Sequence, residues 1–337
     1  MRSSGTFLCL ASGAAFGAMA IFGKLSYDEG ATLGTLLSVR FVLAATLFWA
    51  LVLATRAGAP ALTRRDLGVG LALGAFGYSA QAGFYFAALE RIDASLLSLL
   101  LYTFPAIVAA AAVALGRERI DRRKVAALAL SFSGLVLVMA GAGAGALDPL
   151  GAALGLAAAL VYSTYILVSD GVVERMRPLV LSALVCTGAA VTLTTGSALL
   201  GQLHPGQVTL AGWGWLACIS VVSTVAAVSL FFAGLRKVGP TTASILATVE
   251  PLVTVTLAFL VFGEVLGSLQ VAGGAMVLAA VVAINAKRGG QDEQTIGRQD
   301  RAGERGDTGR WARDRGGPWR GGRHGLRDGP EHSRATL

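Results

Sequence analysis

Histidine is almost missing from this chain of 337 residues. Three are present, His204, His324 and His332, and none lies inside an apolar run. That argues against a buried serine–histidine pair and against imidazole-ligated metal within the apolar part. Cysteine is equally scarce. Cys9, Cys186 and Cys218 are odd in number, lack metal-ligand spacing and sit in apolar runs, so they read as small hydrophobic fillers. No Asp, Glu, His or Cys cluster has ligand spacing, and no P-loop is present, so no metal, no cofactor and no nucleotide hydrolysis by the chain itself are expected. Charge is sparse too, at 14% of residues. These shortages leave little for an enzyme to work with.

What is abundant is apolar length. Hydrophobic residues make up 54% of the chain and the mean hydropathy is +0.65. Up to residue 286 the sequence is a series of apolar runs, each near the ~20 residues that a helix needs to cross a ~30 Å hydrocarbon core. Lipid offers backbone groups no partners, so such runs must be helices. The polarity alternation of a membrane barrel is absent. The first run is long for a signal peptide and ends in Lys24, Asp28 and Glu29 rather than at a cleavage site. The expected fold is an all-α integral membrane protein of about ten transmembrane helices: 7–27, 32–55, 67–88, 94–115, 125–142, 150–169, 179–200, 211–234, 240–262 and 268–286.

Basic residues set the orientation. With the N-terminus in the cytoplasm, the cytoplasmic ends hold Arg2, Arg56, Arg64, Arg65, Arg117, Arg119, Arg122, Arg123, Lys124, Arg175, Arg177, Arg236 and Lys237. The opposite ends hold Lys24 and Arg91. This positive-inside bias places both termini in the cytoplasm of a multi-pass cell-membrane protein.

The chain also repeats itself. Aligning Pro105 with Pro251 matches Leu89 with Leu235, Arg91 with Lys237 and Glu118 with Glu264. Two halves of five helices, 1–146 and 147–286, share one plan. Because five is odd, the second half enters the membrane from the other side, as two inverted five-helix repeats. The segment 116–124 is rich in arginine and its counterpart 262–267 has no basic residue, as inversion requires. The fourth-helix patterns, A-S-L-L-S-L-L-L-Y-T-F-P…G-R-E-R and T-T-A-S-I-L-A-T-V-E-P…F-G-E, together with Arg40-Phe41, resemble the EamA type of the drug/metabolite transporter superfamily. The resemblance covers residues 1–286. It implies a secondary carrier of a small metabolite or drug-like solute, an amino acid or related compound among them, without fixing the substrate. Phe104 stands where the second half has Glu250, so a carboxylate role is one-sided.

Several side chains are too polar for lipid. Arg40 lies mid-span, where a charge costs ~2.5–3.5 kcal/mol even on the lenient insertion scale. It must face the interior, either binding an anionic group with its planar fork or tying helices together. Glu250 is the deepest acid and precedes Pro251, which frees the carbonyl of Ala247 and kinks the helix, as Pro105 does in the first half. It is a proton-coupling candidate or a packing hydrogen bond. Polar stripes at helical spacing, Tyr78/Gln81/Tyr85, Ser95/Ser98/Tyr102, Tyr162/Tyr165/Ser169 and Thr241/Ser244/Thr248, should point inward and line a cavity that binds solute. Gly13/Gly17, Gly70/Gly74 and Gly151/Gly155 have the spacing of close helix packing. Glu118 and Glu264 read as helix-end charges beside water.

The tail 287–337 holds twelve Lys/Arg against eight Asp/Glu and too little apolar surface for a core. It reads as a disordered cytoplasmic appendage that can touch anionic membrane lipid, with nucleic acid not expected. The alternative to a transporter is a non-transporting membrane protein, an assembly partner or a lipid or solute sensor, which would be packed shut at the midplane.

Overall fold

Threonines start several of the helices. Thr32 and Thr209 accept backbone N–H groups of the first turn, and Thr63 forms a reciprocal capping box with Asp66. The protein's structure, a computed structural model, describes residues 2–55, 63–116, 122–141, 148–173, 176–238, 243 and 246–283. Ser244, Thr241, Glu118 and the tail lie outside the described residues. Those described fall in one unit, Met1–Gly289, and are helical without a strand. The helices are α1 (Ser4–Asp28), α2 (Leu33–Ala54), α3 (64–89), α4 (Ala94–Ala114), α5 (Arg122–Gly141), α6 (Pro149–Val173), α7 (Pro178–Leu199), α8 (Leu210–Val238), α9 (Val249–Phe262) and α10 (Ser268–Ala283). Each falls on one expected span. Six of them, α1, α2, α4, α6, α7 and α8, hold stretches long and apolar enough to cross a membrane, while the apolar stretches of α5, α9 and α10 are shorter.

Contacts between connecting segments fix the up-and-down order. The ends of α1 and α9 meet the start of α4 through Lys24, Glu264 and Asp93. Glu29 after α1 accepts from Thr209 before α8. His204 donates its backbone N–H to Thr35 of α2, and Arg91 after α3 pairs with Asp148 before α6 at 3.2 Å. The connections following α1, α3, α7 and α9 therefore share one end of the bundle, together with the start of α6. At the other end Lys237, closing α8, reaches Ser4, opening α1. Helix α1 runs toward the first end and α6 runs away from it, so the halves are antiparallel.

Besides a break at Ala18 in α1, four helices are irregular in matched pairs. Wide π-turns occupy Leu73–Tyr78 in α3 and Val221–Ala226 in α8. Hydroxyls satisfy carbonyls that such turns loosen: Ser79 donates to Gly74 and Thr224 to Ile219. Helix α4 breaks at Tyr102–Thr103, and a turn at Thr248 precedes α9, in each case just ahead of the expected proline kink.

Close approach of helices uses glycine. A Cβ on Gly74 would stand 2.0 Å from the carbonyl oxygen of Val185, and one on Gly188 would stand 2.1 Å from that of Leu71, so α3 and α7 touch backbone to backbone. Gly13 and Gly17 admit α9 at Val249 and Glu250, and Gly134 faces Gly273 between α5 and α10.

Candidate functional site

Arg40, on α2, is buried. Its Nε donates to Thr224 Oγ1 at 3.0 Å, a hydroxyl carried by the α8 π-turn. The guanidinium lies over the rings of Phe41, 4.9 Å away, and Phe86, 5.3 Å away. The Tyr78 phenol, at the end of the α3 π-turn, is within its reach, and Cys186, its repeat counterpart, lies near enough to feel its charge. Among the described residues no carboxylate pairs with it. The two π-turns thus hand Arg40 neutral neighbours from both halves and leave its fork without an acidic partner.

Glu250, the other charge in mid-bundle, sits in the first turn of α9. Its Oε2 lies 3.1 Å from the Tyr102 hydroxyl. The same hydroxyl reaches the carbonyl oxygen of Ala247, the acceptor that Pro251 leaves without its helical donor. Tyr102 from one half therefore repairs the proline break of the other. Pro105 sits at the start of the resumed α4 helix, where its missing N–H costs nothing.

An arc of rings joins the two charges. Phe41 meets Tyr78 at 5.4 Å, Tyr78 meets Tyr165 at 5.8 Å, Tyr165 meets Tyr162 at 6.4 Å, Tyr162 meets Phe104 at 4.7 Å, and Phe104 meets Tyr102 at 5.8 Å. Tyr78, Tyr162, Tyr165, Phe104 and Glu250 keep some accessible surface, whereas Tyr85, Tyr102 and Gln81 are buried. Tyr85 lies within electrostatic reach of both Arg40 and Glu250.

The structure thus brings Arg40, Tyr78, Tyr85, Tyr102, Tyr162, Tyr165 and Glu250 together. Ser98 is spent on the carbonyl oxygen of Ser95, and Thr248 lies in the turn before α9. Phe41 and Phe104 also belong to the arc, although an apolar ring in an apolar run gives no site signal of its own. Phe104 stands at the repeat counterpart of Glu250, and that position was the signal. Two cavities open elsewhere, between α2 and α7. One, of ≈ 260 Å³, is bordered by Thr32, Glu90, Gln202 and His204; the other, of ≈ 340 Å³, by Ser38, Val42, Thr194 and Trp213. Neither includes Arg40 or Glu250.

A second constellation, which the sequence does not signal, lies where α4 begins and α9 ends. Glu264 stands at a helix end, as the sequence implies, but its side chain is turned inward and is only 7% exposed. Its Oε1 pairs with Lys24 at 2.8 Å and accepts the Ala94 N–H at 3.2 Å, while Oε2 accepts the Ser95 N–H at 3.0 Å and the Ser95 hydroxyl at 2.8 Å. Burial pushes this carboxyl up, but the Lys24 and Ser95 donors outweigh it and hold the group below the usual carboxylate range. The turn at Gly263, with φ +67°, ends α9 and swings Glu264 back to this spot.

The EamA-like transporter family matches residues 3–140 and again 149–286, one copy on each half. A Bacillus subtilis (strain 168) protein described as the uncharacterized transporter YcbK is 27% identical over 278 residues, 80% of this chain and 89% of its own. An uncharacterized transporter of Archaeoglobus fulgidus is 29% identical over 63% of this chain and 74% of its own. A solved crystal structure shares the fold, with TM-score 0.60 at 18% identity over 84% of this chain and 97% of that one. The chain belongs to the EamA-like transporter family.

Proposed function

We propose that this member of the EamA-like transporter family is a secondary carrier that moves a small amphipathic solute across the cytoplasmic membrane by alternating access. One observation carries the reading: an arc of aromatic rings runs between an arginine that has no carboxylate partner among the described residues and a glutamate, both deep in the bundle. Arg40 offers its fork to an anionic group of the solute, a carboxylate being the geometric match. Tyr78, Tyr162, Tyr165 and Phe104 offer faces and edges to its apolar body. Glu250, hydrogen-bonded to Tyr102 and next to accessible surface, is placed to exchange a proton or to receive a donor on the solute. The residues come from both halves, so a relative movement of the halves changes the site. Both termini face the cytoplasm.

The test is transport by reconstituted protein against a metabolite panel, with Arg40→Lys and Arg40→Gln beside the parent. Lysine keeps charge without the bidentate fork and glutamine loses both. Transport of an anionic solute is expected to fall in the order parent, Lys, Gln while melting temperatures stay close. Glutamine removes a buried charge and keeps a donor for Thr224, so stability has little reason to drop. A variant that is stable and transports normally would remove Arg40 from the site, and a parent that moves no solute would remove the carrier reading.

A further inference from the structure

Helix α4 starts without the cap its sequence supplies. Asp93 occupies the N-cap position and aspartate is among the best caps, yet it makes no capping hydrogen bond and its side chain is 68% exposed. The first two N–H groups of α4 are bonded instead by Glu264, which lies 170 residues away in the other half. A carboxylate at a helix N-terminus also meets the positive end of the helix dipole. Lys24 pairs with Glu264 from α1 at 2.8 Å and also approaches Asp93 at 3.7 Å, with its ammonium 4.9 Å from the Phe262 ring centre. One acid therefore ties α1 and α4 of the first half to the end of α9 in the second.

Its location gives the tie a consequence. Along α4 the face Ser95, Ser98, Tyr102 meets α9 twice, at Glu264 and a little under two turns deeper at Ala247 and Glu250. Ser98 lies between these contacts and is 5% exposed. A path from the α1–α2 end of the bundle to the Glu250 side of the site between α4 and α9 must part the Glu264 contacts first. A helix capped by its own aspartate would be indifferent to that movement. Capped from the other half, α4 can keep a ready substitute in Asp93, exposed and one residue away, for when Glu264 leaves.

We propose that Glu264 is a latch between the two halves: it closes the α4–α9 seam at the end that the charge bias makes external, and it must release for the bundle to open there. The proposal rests on the alternating-access reading, and its test does not require a known solute. In protein whose three native cysteines are alanine, Ser98→Cys reports on the seam through its rate of labelling by a membrane-impermeant maleimide added outside proteoliposomes. With Glu264 present, labelling is expected to be slow. Glu264→Gln keeps the shape and loses the charge, and Glu264→Ala loses both; each is expected to raise the rate at least tenfold, with alanine the faster. Glutamine also serves should the alanine protein fold poorly. Unchanged rates in well-folded variants, or fast labelling with Glu264 intact, would overturn the latch. Faster labelling of the Glu264 variants alongside a parent protein, with Ser98 and the native cysteines intact, that transports nothing would keep the latch and overturn the carrier.

Discussion

At the scale of single residues, the intramembrane polar groups divide by whether their partners are complete. The single proton of the Tyr102 hydroxyl stands between two acceptors, the Ala247 carbonyl oxygen at 2.5 Å and Glu250 Oε2 at 3.1 Å. Tyr102→Phe keeps the ring and its contact with Phe104 but strands a carbonyl that proline has already deprived. Leaving a buried acceptor unpaired costs ~1–3 kcal/mol. The variant is therefore expected to unfold at lower denaturant or temperature, as followed by helical circular dichroism in detergent. The same substitution at Tyr162, which among the described residues is held by ring contacts to Phe104 and Tyr165, is expected to cost less. Equal losses would mean that the hydroxyl bonds of Tyr102 contribute nothing special. Glu264 differs in kind. Its carboxyl is held below the usual range, so its contribution is present above the unfolded pKa of ~4.3 and is lost as pH falls through the lower folded value. The latch stays charged across neutral pH.

At the scale of elements, α3 shows how glycines with the same letter differ. Gly74 stands where any Cβ would drive into the α7 backbone, and Gly83 has nothing within 4 Å of where its Cβ would be. Gly74→Ala must push α3 from α7 or unwind the π-turn, and overpacking of this sort costs ~1–3 kcal/mol. Gly83→Ala removes a helix-weakening residue at no steric cost and is expected to be neutral or slightly stabilising. Melting of the two variants side by side checks this, and a Gly74→Ala protein as stable as Gly83→Ala would contradict the backbone contact. The Gly70/Gly74 spacing was legible in sequence, as were ten spans, the repeat and the proline breaks, because apolar length and covalent proline chemistry are local facts. The π-turns were not legible. Their cause is a tertiary fit, in which an extra residue per turn turns Tyr78 and Thr224 toward Arg40 from two halves at once. The burial of Glu264 is not legible in the sequence for a similar reason. Its position after a helix is local, but its burial comes from α4 and Lys24, whose approach no stretch of α9 encodes. Arg40 and Glu250 stood out because charge inside an apolar run is conspicuous anywhere; the ring arc between them required coordinates.

At the scale of the whole molecule, topology is over-determined, and one experiment can test it. The contacts among Lys24, Asp93, Glu264, Glu29, Thr209, Thr35, His204, Arg91 and Asp148 collect the odd-to-even connections at one end. That end carries Lys24 and Arg91 as its basic side chains, while most cationic residues fall on the connections assigned to the other end. Two independent facts, packing and charge, therefore agree on which connections share a side. The positive-inside rule then names the side. A reporter fused after Ala146, between the halves, is expected to score external, and one fused after Lys237 cytoplasmic. The second fusion guards the first, because an odd error in the number of spans between them would make both score alike. An external signal after Ala146 with a cytoplasmic one after Lys237 keeps the antiparallel halves in their proposed orientation. Reversed signals would retain the fold and turn the molecule over, which would place the Glu264 latch on the cytoplasmic face. Matching signals would break the five-plus-five order, and with it the argument that a site built from both halves is exposed to each side in turn.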